Sequence, residues 1–181
     1  MKADAVTKLA LAAILAASVV LAGCSVGQIR DAALVGAHGK LLDAEFEAAA
    51  IAVTDSTVLT VDEREALWRA VDELDDQRLY LRKILERPAT EQAVAAVTAC
   101  ARLEKIGRTY SAGRTTFVAA LDREGEPVPL MLRQYDESAA VAYDGLHAQV
   151  CDDGSAIQAA DVAGYLGLTL RVIAAVNGAP V

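Results

Sequence analysis

Histidine is almost missing from this 181-residue sequence, which has only His38 and His147. Neither stands at a metal-ligand spacing from the other or from a cysteine, so the sequence signature of a zinc site is absent. The three cysteines, Cys24, Cys100 and Cys151, lie far apart, which excludes a redox pair with two residues between its thiols and a haem-attachment motif. There is no nucleophile elbow and no glycine-rich dinucleotide fingerprint. His147 stands near Asp152, Asp153 and Ser155, but such residues cluster by chance near helix ends. The expectation is a protein that is not an enzyme, with no cofactor and no metal.

Aromatic residues are also scarce, at 4%, while hydrophobic residues reach 54%. Alanine supplies much of that fraction. It has the best helix propensity and buries little area, so the chain should be strongly helical with closely spaced, thin contacts between helices. Strand-like alternation persists nowhere for long, and glycine and proline fall mostly at the edges of periodic segments. Basic charge is the minority sign, with 17 Lys and Arg against 25 Asp and Glu. An acidic surface disfavours nucleic acid and anionic headgroups.

The N-terminus differs from everything after it. Lys2 and Lys8 flank its start, Asp4 lies between them, and an apolar run from Leu9 to Gly23 contains Ser18 as its one polar residue. Fifteen helical residues rise about 22 Å, short of the roughly 30 Å hydrocarbon core, so the run suits a signal peptide better than a permanent span. It closes as Leu21-Ala22-Gly23-Cys24, which resembles the lipobox of bacterial lipoproteins. The resemblance covers residues 1–25 only. It implies that the Cys24 thiol receives a diacylglycerol and that a dedicated signal peptidase cuts between Gly23 and Cys24. It also implies that the new amino group takes a further acyl chain such as palmitate. Two or three chains anchor stably, at about 0.8 kcal/mol per buried CH₂. Ser25 after the cysteine resembles the outer-membrane-directed class, which implies the periplasmic face of the outer membrane. The alternative is an ordinary secretory signal or a short anchor that happens to precede a cysteine.

Removing residues 1–23 leaves residues 24–181, enough for one domain. Lys2, Lys8 and Asp4 leave with the signal, so 15 basic and 24 acidic residues remain, net −9. Apolar periodicity begins by Ile29 and continues through Leu34, Leu41, Phe46 and Ile51 despite Gly36 and Gly39. A first helix is expected over about 28–53, so close to Cys24 that little flexible tether separates lipid from bundle. His38, between the glycines, reads as a surface residue.

Thr60 and Glu63 have the spacing of a capping box, which predicts a helix over 61–87 with Leu67, Val71, Leu74, Leu81 and Leu85 inward, widened by Trp68 and Ile84. Asp72, Glu73, Asp75 and Asp76 read as its solvated side. Pro88 ends it. Thr90 can cap a third helix over 91–122 with Val94, Val97, Leu103, Ile106, Tyr110, Phe117 and Leu121 inward. Within it, Gly107-Arg108-Thr109 and Gly113-Arg114-Thr115 form a near repeat. A phosphate loop needs a preceding strand, four residues between glycines and a lysine, all absent here. Close helix packing or a kink is the better reading, with both arginines facing a neighbour's acidic surface.

The turn at 123–127 lets Pro129 open a fourth helix reaching about Val150, along Leu132, Tyr135, Ala139, Ala142 and Leu146. Asp152-Asp153-Gly154-Ser155 breaks the chain without the spaced ligands of a calcium loop. A last helix over 156–176 buries Val162, Leu166, Leu170, Ile173 and Val176. If helices three and four form a hairpin turning near Glu126, Cys100 lies 26 residues before the turn and Cys151 lies 25 after it. They meet at one level. An exported chain folds where disulfides form, so a Cys100–Cys151 bridge is expected; two buried free thiols are the alternative.

The fold class expected is all-α, an antiparallel up-down bundle of four or five helices. The function expected is that of a lipid-anchored envelope accessory protein with a protein partner, of which a secretion-machinery escort and a phage or plasmid exclusion lipoprotein are concrete kinds. The alternative is a structural or apolar-ligand-binding bundle of the periplasm.

Overall fold

The best-marked helix starts where two side chains satisfy each other's backbone. In this computed structural model, which describes residues 36–88 and 91–176 apart from the side chain of Ala96, the Thr60 hydroxyl accepts from the Glu63 amide at 3.3 Å. The Glu63 carboxylate in turn accepts from the Thr60 amide at 2.8 Å. Such reciprocal capping removes two orphan donors of a helix start. Helix α2 then runs Val61–Leu85 and buries Leu67, Val71, Leu74, Leu81, Ile84 and Leu85. Trp68 lies at the edge of that stripe, 37% exposed. Gly23, Cys24, the expected helix start at 28–35 and Thr90 lie outside the described residues.

Ahead of α2, residues 36–55 form α1 without interruption at Gly36 or Gly39. Its inward face is Leu42, Glu45, Ala49, Ala52 and Val53, whereas Leu41 and Ile51, expected inward, are about half exposed. Two apolar registers lie about 100° apart on this alanine-rich helix, and periodicity alone does not choose between them. The buried register includes Glu45, which sits opposite Arg171 with Oε1 at 2.5 Å from Nε.

Helix α3 spans Ala96–Glu124 and stops at Gly125, whose φ of 69° is the left-handed conformation that glycine adopts without strain. Helix α4, Leu130–His147, starts after Pro129 and widens into a π-helical turn over Ala148–Asp152, in which the Asp153 amide donates to the Ala148 carbonyl at 3.0 Å. Helix α5 spans Ala159–Ala175. The expected start of the third helix at Glu91 is corrected: Ala93–Val94 form a short strand, β1, paired antiparallel with β2, Ile157–Gln158. Two residues are too few to show alternation. Val97, expected inward, is 87% exposed because the helix has barely begun there.

Contacts between helices give the topology. Asp43 of α1 meets Arg78 of α2, and further on the Ser56 carbonyl accepts from Arg64. Arg102 of α3 donates to Gln77, and Arg123 to the Val58 carbonyl. Arg114 of α3 pairs with Asp136 of α4, and the Tyr143 ring of α4 lies 5.7 Å from that of Tyr165 in α5. In the first two pairs, numbers that rise along one helix fall along the other. So they do in α3 and α4, where Gly107 lies against Tyr143 and Cys100 against Cys151, and α5 turns back along α4 after the connection 148–158. Successive helices are therefore antiparallel, while Leu42 against Gly167 and Glu45 against Arg171 make α1 parallel to α5. The architecture is an all-α up-down bundle. Twelve of the 17 residues of α5 are buried, and it packs on α2, α3 and α4 as well as α1, so the core is built around it. No helix among the described residues is long and apolar enough to cross a membrane.

Candidate functional site

The α3–α4 hairpin is closed at its open end. Cys100 and Cys151 are joined, with S–S 2.18 Å and Cα–Cα 5.2 Å, inside the usual Cα window for a disulfide. One turn along α3, the Glu104 carboxylate lies 3.8 Å from the Cys100 sulfur. Glu104 and the two sulfurs fall within 4.8 Å of one another, but sulfurs bonded to each other offer no thiolate to a metal. Gln92, buried nearby, donates its side-chain amide to the Leu85 and Arg87 carbonyls at 3.3 and 2.9 Å and so closes the C-terminal end of α2.

Down the hairpin from the disulfide, the near repeat finds its explanation. A Cβ on Gly107 would lie 2.7 Å from the Tyr143 ring, and one on Gly113 would touch Leu67 and Ala70 of α2 at 3.5 and 3.6 Å. Six residues of helix turn through about 600°, which aims the two glycines at different neighbours. Each admits one close approach. Arg114 reaches Asp136 of α4 as expected, at 2.6 Å, whereas among the described residues Arg108 pairs only with Glu104 of its own helix, at 3.4 Å.

Between α3 and α4 lies a cleft of about 360 Å³, with Gly107 and Ala140 on its walls and Tyr110, Tyr143 and Tyr165 bringing their rings to it. The Tyr110 hydroxyl donates to Asp136, which also holds Arg114. No partner among the described residues receives the hydroxyl of Tyr143 or of Tyr165. Burial pushes the Tyr165 phenol well above its usual range, with Tyr143 beside it adding to the shift. Burial likewise raises Tyr143, helped by Glu104 and opposed by Arg108, and it raises Tyr110, helped by Asp136. All three remain protonated at neutral pH.

On the other flank of α4 a shallower groove of about 630 Å³ runs along α5, past Val141, Gly145, Gly164 and Leu168, with Asp161 at its rim. Val141 is 74% exposed, and nothing lies within 4 Å of a Cβ built on either glycine. Of the other residues singled out in the sequence, His38 lies on α1, partly exposed. His147 has Nδ1 3.8 Å from Asp152 and its ring 5.7 Å from Tyr143, while the Ser155 hydroxyl donates to the Gln149 carbonyl at 2.6 Å. The acidic side of α2 is only partly solvated: Glu73 pairs with Lys105 of α3, and Asp75 with Arg78.

Sequence reasoning missed the tyrosine cleft, although a signal for it existed. The register that puts Cys100 opposite Cys151 puts Gly107 opposite residue 144, beside Tyr143, and a glycine facing a large ring marks a deliberate close approach.

These features define a class: an all-α bundle closed by a disulfide, with a tyrosine-lined cleft and an apolar groove on either flank of α4. No protein-family model, no curated protein and no solved structure matches the chain.

Proposed function

We propose that the protein is a lipid-anchored accessory protein of the bacterial cell envelope, held through Cys24 at the periplasmic face of the outer membrane, and that its bundle docks a partner protein. The observation that carries the anchoring is the run Leu21-Ala22-Gly23-Cys24 behind a charged and apolar leader, with Ser25 after it. A Cys100–Cys151 bridge agrees with it, because disulfides persist in oxidising compartments.

The α4–α5 groove supports the docking half of the reading. Bare glycines and exposed Val141 offer close approach to a helix, and Asp161 at the rim of an acidic protein favours a partner helix with an apolar face flanked by basic residues. A signal peptidase II inhibitor should leave an unprocessed, larger precursor, and Cys24→Ser should abolish labelling by an alkynyl fatty acid. Processing and labelling that continue unchanged under both would overturn the anchor. A photo-crosslinking residue at position 141 should capture one defined envelope protein, and the same residue at Asp62, exposed in the first turn of α2 and outside the groove, should not. Identical capture profiles at the two positions would overturn the groove as the docking face.

A further inference from the structure

We propose that the cleft between α3 and α4 binds a compact apolar molecule that presents an acceptor oxygen, carbonyl or carboxylate, to the hydroxyls of Tyr143 and Tyr165. Tyr165 supplies the first of these hydroxyls. It is 2% exposed as a residue, and its hydroxyl, which is not among the side-chain atoms sealed from solvent, has no partner among the described residues. The same ring lines the cleft, as does Tyr143, which is equally unpartnered. Both phenols are protonated at neutral pH, as any phenol is, so each has a hydrogen to donate and, among the described residues, no acceptor for it. The third phenol is already committed, since Tyr110 donates to Asp136.

The rest of the cleft suits an apolar body. Its walls at Gly107, Ala139 and Ala140 carry no side chain larger than methyl, and about 360 Å³ is at the small end of the roughly 300–1,000 Å³ of ligand clefts. Arg108 stands at the rim with its side chain 71% exposed, held among the described residues only by Glu104 of its own helix. It is free to turn toward a carboxylate. The disulfide above fixes the separation of the two walls before any ligand arrives, which lowers the ordering cost of binding. The site is independent of the lipid anchor, and among the described residues it shares only Tyr165 with the lining of the α4–α5 groove.

The full chain, purified in mild detergent, would be titrated with 2-naphthoate and with naphthalene, followed by amide shifts in two-dimensional NMR. The expected result is saturable binding of one 2-naphthoate per chain, with shifts concentrated on 107–111 and 139–144. Ala140 is exposed at the wall, so Ala140→Leu should fill the cleft and weaken both probes by tenfold or more without changing the melting temperature. Tyr165→Phe keeps the ring and removes one donor. It should weaken 2-naphthoate about tenfold and naphthalene less than twofold. Shifts that do not saturate, shifts centred elsewhere, or an Ala140→Leu protein that binds like the parent would overturn the site. Equal losses for both probes in Tyr165→Phe would overturn the acceptor chemistry.

Discussion

The two ends of the bundle are closed by different means. At one end the connections are short, residues 56–60 between α1 and α2 and 125–129 between α3 and α4. There the fastening is polar and partly exposed: Arg123 reaches Glu63 and the Val58 carbonyl, and Glu63 is half of a capping box. At the other end the connections are roughly twice as long, 86–95 between α2 and α3 and 148–158 between α4 and α5. Longer connections cost more to close and leave helix ends freer. These two are tied to each other. Strand β1 lies in the first and β2 in the second, and the disulfide links the start of α3 to the π turn within the second. A core rich in alanine gives each helix contact little area, so the fold puts its strongest fastenings where the chain is longest. The described chain also enters α1 at this end, since α1 runs parallel to α5.

Removing the covalent tie should have the largest effect. Replacing both cysteines, Cys100→Ser with Cys151→Ser, should cost about 4 kcal/mol for a loop of this length in the chain-entropy argument. Urea unfolding would measure it, and hydrogen exchange should rise first at 93–94 and 157–158 while the 56–60 end keeps its protection. A loss under about 1 kcal/mol, or exchange that rises equally at both ends, would mean that the bridge is not what holds the long connections. A smaller effect is expected from Gln92→Ala. It leaves the Leu85 and Arg87 carbonyls without the buried amide that serves both, a loss of about 2 kcal/mol. If the variant melts with the parent, the closure of α2 comes from backbone alone.

Much of this was legible in the sequence, and the reason differs by element. Helix α2 announces itself because its cap is a local, reciprocal contact and its stripe has no competitor. The Cys100–Cys151 pairing follows from counting, since a hairpin converts equal distances from its turn into adjacency. Helix α1 carries two competing stripes. Leu41, Ala44, Ala48 and Ile51 make as good a stripe as Leu42, Glu45, Ala49 and Ala52, and what selects the second is Arg171, which lies 126 residues from Glu45. The β1–β2 pair was hidden for a similar reason: both of its strands are two residues long, and only the closure of two helices brings them together. The cleft joins Tyr143 to Tyr165, on helices whose register no local pattern records.

The polar end supplies the smallest and most specific test, because its fastening titrates. The Glu63 carboxylate is held at about 2, well below its ordinary 4.5, first by the Arg123 guanidinium and then by the Thr60 amide. A carboxyl depressed in the folded state adds stability above its unfolded value and loses it as pH falls through the folded one. Its contribution is therefore whole above about pH 4.5 and fades toward pH 2. Glu63 is partly exposed, so solvent screening keeps the effect small, at most about 2 °C in melting temperature. The difference between parent and Glu63→Gln isolates this group from the other acids, and it should shrink between pH 4.5 and 2. It should shrink too in 1 M salt at neutral pH, where the Debye length is about 3 Å. A difference that stays constant across that pH window would show that Glu63 acts through its shape in the capping box and not through its charge, and the polar end would then be fastened as independently of pH as the disulfide end.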